Sequence, residues 1–272
     1  MPALYDLAFG YRDYEEEVAF LLVAHEKTSK VAVQTVLELA AGPARHSLTA
    51  LRISDATIKK VTAIDLSPDM IAYAQEIAAM ELPIDQQSDF EYRCADMRSF
   101  TMGNKVDTAW ILLGSLQHLT TNDDVIQCFR CVHKAVQPDG TLILELPHPR
   151  ETFSMVDCTR NGWEVPLEDE DGQESGALKI VWGDDNDAFD PITQVRQFTV
   201  TMQVTGPEAE AAGMEDVSQV IPLRLFTAQE IQALAQCAGW KVVQMYGALQ
   251  EGVSVNDDDA AFRLVCVLRK QD

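Results

Sequence analysis

The feature that most restricts this chain is a repeated change of hydrophobic period between residues 18 and 146, from short continuous apolar runs to longer stretches with helical spacing. A run that is apolar at every position suits a strand buried on both faces, and a helix between successive runs makes their pairing parallel. The pattern predicts a helix over residues 15–27, a strand over 35–40 (TVLELA), a helix starting at 46–51 and a strand over 60–65 (KVTAID). Ser67 and Pro68 then cap and open a helix over 69–80, because proline early in a helix gives up an N–H that has no partner there anyway. Strands over 90–95 and 106–113 follow, then a helix over 123–136 stopped by Pro138, Asp139 and Gly140, and a fifth strand over 141–146. Alternation of this kind predicts a doubly wound α/β layer.

Beyond residue 146 the texture changes. Residues 150–220 hold 16 acidic side chains against 4 basic ones, and alternating stretches at 178–182 and 193–204 lie between Gly and Asp turns. These read as antiparallel strands inserted in the main layer. Thr227 with Glu230 three residues later forms a capping box for a helix running to 238 and closed by Gly239. Residues 240–246 and 261–268 suit a closing hairpin at the sheet edge. The expected division is residues 1–149 as an N-terminal lid segment plus core, 150–225 as a β-rich cap, and 226–272 completing the core sheet.

A formal charge of −22 repels phosphate backbones and anionic lipid heads, so nucleic acid and membrane surfaces are excluded as expected partners. The six cysteines (94, 128, 131, 158, 237 and 266) lack the paired spacing of a zinc site, so they predict thiols in a reducing compartment and no metal. No basic-then-apolar leader opens the sequence and no apolar run nears the ~18 residues of a membrane span. A cytoplasmic protein is expected. Oligomeric state is not readable.

The first strand ends in a glycine turn, VLELAAGPARHS at 36–47, and the second ends in an acid before a capped helix, AIDLSPDMI at 63–71. In open α/β sheets ligands bind beyond the carboxyl ends of the strands, where a glycine lets them approach the backbone and a later carboxylate accepts ribose hydroxyls. Asp65 lies 23 residues after Gly42, near the ~20 expected for that pairing. A dinucleotide turn would need three glycines around its pyrophosphate, and here Gly42 is followed by Pro43, Ala44 and Arg45.

The segment resembles the first motif of class I S-adenosylmethionine-dependent methyltransferases, with Ala44 where the second glycine is usual. Three further segments resemble that family in order: LSPDM after Asp65, CADMRSF at 94–100, and WILLGSLQHL at 110–119. The turn in QPDGTLILEL at 137–146 is also similar. The resemblance implies a seven-stranded, mostly parallel sheet, S-adenosylmethionine as cofactor with S-adenosylhomocysteine as product, and a small-molecule methyl acceptor. It implies that Asp65 binds the ribose, Leu66 and Met70 wall the adenine, Asp96 receives the adenine amino group and Met97 packs on the ring. Ala40, Gly42, Leu113 and Gly114 would line the cofactor, while Glu38 holds the turn or the cofactor amine. Tyr14 and Arg45 are further cofactor candidates, and Gln117 sits in the segment facing the acceptor.

In small-molecule members such an N-terminal stretch folds over the cofactor, so Tyr5, Tyr11 and Arg12 in YDLAFGYRDY become candidates to close the site. His118 and His148 follow the fourth and fifth strands and are the candidate bases, whereas His46 and His133 read as structural. Within the insertion Trp163, Trp182, Phe198 and Arg224 are expected to face inward, with Arg224 gripping an acceptor carboxylate. The acidic runs at 168–171 and 184–187 read as solvated loops. Two rivals use the same sheet: a catalytically silent cofactor-binding protein, and a nicotinamide-dependent oxidoreductase.

Overall fold

The computed structural model describes residues 2–53, 57–152, 161–168, 173–207 and 216–271. The chain divides into two compact units, one of Asp13–Pro149 with Phe226–Asp272 and a smaller one of Met1–Arg12 with Arg150–Leu225. Grouping residues 1–12 with the insertion differs from the sequence expectation, which joined them to the core. The cause is packing: the first helix, α1 (Pro2–Ala8), buries Leu4 and Ala8 against Leu178, Ile180, Val200 and Met202 of the smaller unit.

In the larger unit, α2 (Tyr14–Thr28), β1 (Thr35–Leu39), α3 (Arg45–Ile53), β2 (Lys60–Asp65), α4 (Pro68–Glu81), β3 (Phe90–Cys94), β4 (Val106–Ile111), α5 (Asn122–Ala135) and β5 (Val136–Pro147) follow in order. After α6 (Pro149–Thr152), the smaller unit contributes β6 (Asn161–Glu168), β7 (Glu174–Trp182), β8 (Phe189–Asp190), β9 (Val195–Thr205) and β10 (Val217–Arg224). The chain then returns through α7 (Ala228–Cys237), β11 (Trp240–Tyr246) and β12 (Arg263–Lys270).

The large sheet has seven strands in the order β11-β12-β5-β4-β1-β2-β3. β1 pairs in parallel with β2 and β4, and β12 enters antiparallel beside β5, so the closing hairpin forms the edge as expected. Side chains alternate across the layer. Leu37 and Leu39 join Phe129 and Val132 of α5 and Ile231 of α7 on one face, while Val36 joins Leu21 of α2 and Leu48 of α3 on the other. That alternation also places Glu38 on the α2–α3 face, which decides its partners.

One expectation fails locally. Helix α5 ends at Ala135, where the N–H of Val136 returns to the Val132 carbonyl, and Pro138, Asp139 and Gly140 lie inside β5 rather than stopping the helix. The β4–β5 register shifts between Val106 and Thr108, and Gly140 comes so near that a Cβ there would lie 2.5 Å from the Asp107 carbonyl oxygen. A bulge therefore absorbs the turn signal.

The smaller unit is a sheet in the order β10-β9-β7-β6, with β8 on β9. Along β9, Phe198, Val200 and Met202 are buried at every second position, which gives the sheet one apolar face, with Arg196 buried at its end. The 184–187 run is not merely solvated: both carboxylate oxygens of Asp187 are used, one accepting from the Thr199 hydroxyl and the other from the Asp184 and Thr199 N–H groups. Residues 169–171 of the other acidic run, and Cys158, lie outside the described residues. No described helix is long and apolar enough to cross a membrane.

Candidate nucleoside-binding site

The turn between β1 and α3 carries three left-handed residues, Ala40 (φ 51°), Gly42 (φ 53°) and Ala44 (φ 58°). Only glycine adopts that region at no steric cost, so Ala44 in the second-glycine position is a strained residue held by its surroundings. Those surroundings are identifiable. Its N–H donates to the Ala41 carbonyl at 2.8 Å, and its methyl is buried with Ala63, Ile71, Ala74 and Tyr92. The Tyr92 hydroxyl donates to the Gly42 carbonyl at 2.5 Å.

Alanine cannot cap the helix it precedes, and Glu38 does so instead. Its Oε2 accepts the Ser47 N–H at 3.0 Å and the Ser47 hydroxyl at 2.5 Å, closing residues 39–46 into a ring. Burial pushes the Glu38 carboxyl above the usual carboxylate range, against the nearby His46 and the Ser47 hydrogen bonds, which pull it down.

Across the turn, Asp65 at the end of β2 is oriented by backbone alone. Oδ2 accepts the Gly42 N–H at 2.9 Å and Oδ1 the Ser67 N–H at 2.8 Å. An ionised carboxylate has about four acceptor positions, so two bonds leave room for a diol. Leu66 beside it is 62% exposed and Met70 half-buried, with the Met70 N–H donated to the Ser67 side chain.

Asp96 follows β3, and both its oxygens accept from Arg98: the backbone N–H and Nε reach Oδ1 at 2.8 and 3.0 Å, and Nε and Nη2 reach Oδ2 at 3.0 and 2.6 Å. Arg98 holds the Asp96 carboxyl below the usual range and also binds Asp124 of α5 at 2.9 Å. Met97 is buried in the core cluster of β1 and β4.

After β4, Leu113 (φ 55°) and Gly114 (φ 73°) form a second left-handed turn. Glu145, buried in β5, fixes it by accepting the Leu113 N–H at 2.8 Å, with Arg263 Nε 3.2 Å from its other oxygen. Gln117 is buried in the short 3₁₀ turn Ser115–His118, and His118 at its end is exposed. Desolvation lowers the His118 pKa while the charge of Asp65 acts the other way. His148 is buried, and its Nε2–H donates to the Val255 carbonyl at 2.9 Å.

Tyr14 begins α2 and meets His46 edge-on, centroids 5.0 Å apart. Arg45 binds Glu81 of α4 at 2.7 Å. In the smaller unit, Tyr5, Phe9, Tyr11, Trp163 and Trp182 form one aromatic group with centroid separations of 4.7–6.4 Å, and the Trp163 indole N–H donates to the Ala8 carbonyl. Arg12 is half-buried, and Phe198 and Arg224 are buried. Among the described residues no group of His, Cys, Asp and Glu could hold a metal.

Sequence reasoning missed Arg98, Ser47 and Glu145. Glu145 carried a signal, a lone acid in the apolar strand LILEL, the same signal that singled out Glu38.

Residues 36–140 match the methyltransferase domain family. YqeM of Bacillus subtilis (strain 168), named as a methyltransferase, is 26% identical over 145 residues, which span 53% of this chain and 53% of that protein. The match thus covers about half the length of that relative. A solved S-adenosylmethionine-dependent methyltransferase from Clostridium acetobutylicum superposes with a TM-score of 0.74 at 14% identity, covering 98% of this chain and 96% of that one. An amino pentose methyltransferase from Micromonospora echinaspora, solved with S-adenosylmethionine bound, gives 0.70 at 20% identity, covering 97% and 95%. The fold is that of the class I S-adenosylmethionine-dependent methyltransferases.

Proposed function

We propose that this protein moves a methyl group from S-adenosylmethionine to a nitrogen, oxygen or sulfur of a small-molecule metabolite. The observation that carries the reading is Asp65, oriented by the Gly42 and Ser67 N–H groups at the carboxyl end of β2 with acceptor positions to spare. The residues present fit an adenosyl group and not a dinucleotide, since the single-glycine turn offers no three-glycine cradle for a pyrophosphate. When bound, the cofactor supplies an electrophilic methyl on a sulfonium, which is displaced in line and leaves S-adenosylhomocysteine.

Asp65 would hold the ribose, Asp96 the adenine amino group, and Leu66, Met70 and Met97 the ring. The turn Ala40–Ala44, with Leu113 and Gly114, would take the methionine end. His118 is the better base of the two histidines, because its side chain is exposed at the end of the 3₁₀ turn that follows β4. The Nε2 of His148 is already engaged by Val255.

Acceptor recognition is assigned to the smaller unit, through Tyr5, Tyr11, Arg12, Trp163, Trp182 and Arg224. The solved relative named for an amino pentose supports a polar metabolite of that size. The thiols of Cys94, Cys128, Cys131, Cys237 and Cys266, all free, support the cytoplasm as its compartment.

The test is calorimetric titration with S-adenosylhomocysteine and NAD(H), followed by incubation of methyl-labelled cofactor with a metabolite extract and a panel of amino sugars. Binding of the thioether with label moved to a small molecule is expected. Binding without transfer would favour the silent reading, and a response to NAD(H) alone would sink the proposal.

A further inference from the structure

His46 was expected to be structural, yet it sits where three parts of the nucleoside site converge. It lies in the first turn of α3, 1% exposed, directly before Ser47, whose N–H and hydroxyl close the turn onto Glu38. Its Nε2–H donates to Glu17 Oε2 of α2 at 2.7 Å, and its Nδ1 lies 3.7 Å from Glu38 Oε1. Tyr14, one turn before Glu17 and so on the same side of α2, rests its ring edge against the imidazole.

We propose that His46 is a positioning residue for the cofactor: by joining Glu17 to Glu38 it fixes the start of α2, with Tyr14, against the back of the Ala40–Ala44 turn. This rests on the methyltransferase reading. The helices themselves do not need the bridge, since Leu21 of α2 and Leu48 and Leu51 of α3 pack in one apolar cluster. What the bridge adds is registration. Glu38 is buried and Glu17 nearly so, at 5% and 14% side-chain exposure. The imidazole stands between their carboxylates; without it they would face each other, and the turn that Glu38 closes would be held by Ser47 alone.

The test measures S-adenosylhomocysteine affinity by calorimetry, and steady-state constants where an acceptor is in hand, for His46→Leu, His46→Gln, Glu17→Gln and the His46→Leu/Glu17→Gln double variant. His46→Leu is expected to weaken the thioether about tenfold, as loss of a hydrogen bond to a charged partner does, with the cofactor KM moving more than kcat. His46→Gln, which keeps a donor, should recover part of that loss. Adding Glu17→Gln to His46→Leu should cost nothing further, because the two act through one contact.

A folded His46→Leu with lowered melting temperature and wild-type affinity would overturn the proposal, as would fully additive losses. Should His46→Leu not fold, Glu17→Gln decides alone, and unchanged affinity there overturns it. Failure of the underlying reading shows separately, as a wild-type protein that binds no thioether at all.

Discussion

At the scale of single residues, two carboxylates one strand apart do opposite work. Asp65 faces the open end of the sheet and is half-buried; Glu38 points into the α2–α3 face and is closed off. Removing Asp65 deletes the acceptor proposed for a ribose diol and also frees the Gly42 and Ser67 N–H groups. Asp65→Ala should therefore weaken S-adenosylhomocysteine by about 1–3 kcal/mol, roughly 5- to 150-fold, and lower the melting temperature as well. Unchanged affinity by calorimetry would place the ribose elsewhere. Glu38 predicts a pH effect. Its folded pKa is raised by burial, so above the ordinary carboxylate range the unfolded chain has already lost a proton that the folded protein still holds. Stability from this group is complete below the unfolded pKa and falls as pH rises toward the folded one. Urea unfolding of Glu38→Gln, which has no proton to lose, should show a shallower decline than wild type as pH rises above the ordinary carboxylate range. Parallel slopes would show that Glu38 is not the group responsible.

At the scale of elements, what was legible in the sequence was local, and what was not legible depended on partners distant in sequence. Helix α7 shows the legible side: Thr227 accepts the Glu230 N–H at 3.2 Å and Glu230 reaches back to the Thr227 N–H, the reciprocal pair the sequence predicted. Thr227→Ala should cost about 1 kcal/mol in denaturant unfolding without altering cofactor affinity, and a cost below ~0.3 kcal/mol would mean the box adds nothing. The strands of the large sheet were equally readable, since apolar period and turn residues lie within each segment. Pro138-Asp139-Gly140 misled for a physical reason: a turn signal reports local backbone preference, and here neighbouring β4 draws the segment into a ladder with a register shift. The cap of α3 was hidden likewise. Ala44 in the cap position has no oxygen to offer, and the group that replaces it, Glu38, comes from the preceding strand, nine residues before the Ser47 whose N–H it accepts.

At the scale of the whole molecule, the chain enters the smaller unit twice, and residues 1–12 join it through packing with no periodic signature of its own. Seven residues of helix are too few to stand alone, so α1 exists because Leu4 and Ala8 have an apolar face of β7 and β9 to cover. The same packing gathers Tyr5, Phe9 and Tyr11 with Trp163 and Trp182, two groups of rings that the sequence keeps about 150 residues apart. The residues of the candidate nucleoside site, by contrast, all belong to the larger unit. If cofactor and acceptor are handled by separate units, a change in one should be silent for the other's ligand. Trp163→Ala removes an aromatic face worth about 1–1.5 kcal/mol of recognition, together with the hydrogen bond to Ala8 that ties it to α1. The acceptor KM should rise about five- to tenfold while S-adenosylhomocysteine affinity stays within about twofold of wild type. Because Trp163 also helps seat α1, its melting curve must be followed alongside. A variant that melts as wild type yet loses thioether and acceptor equally would show that the two units do not divide the ligands between them.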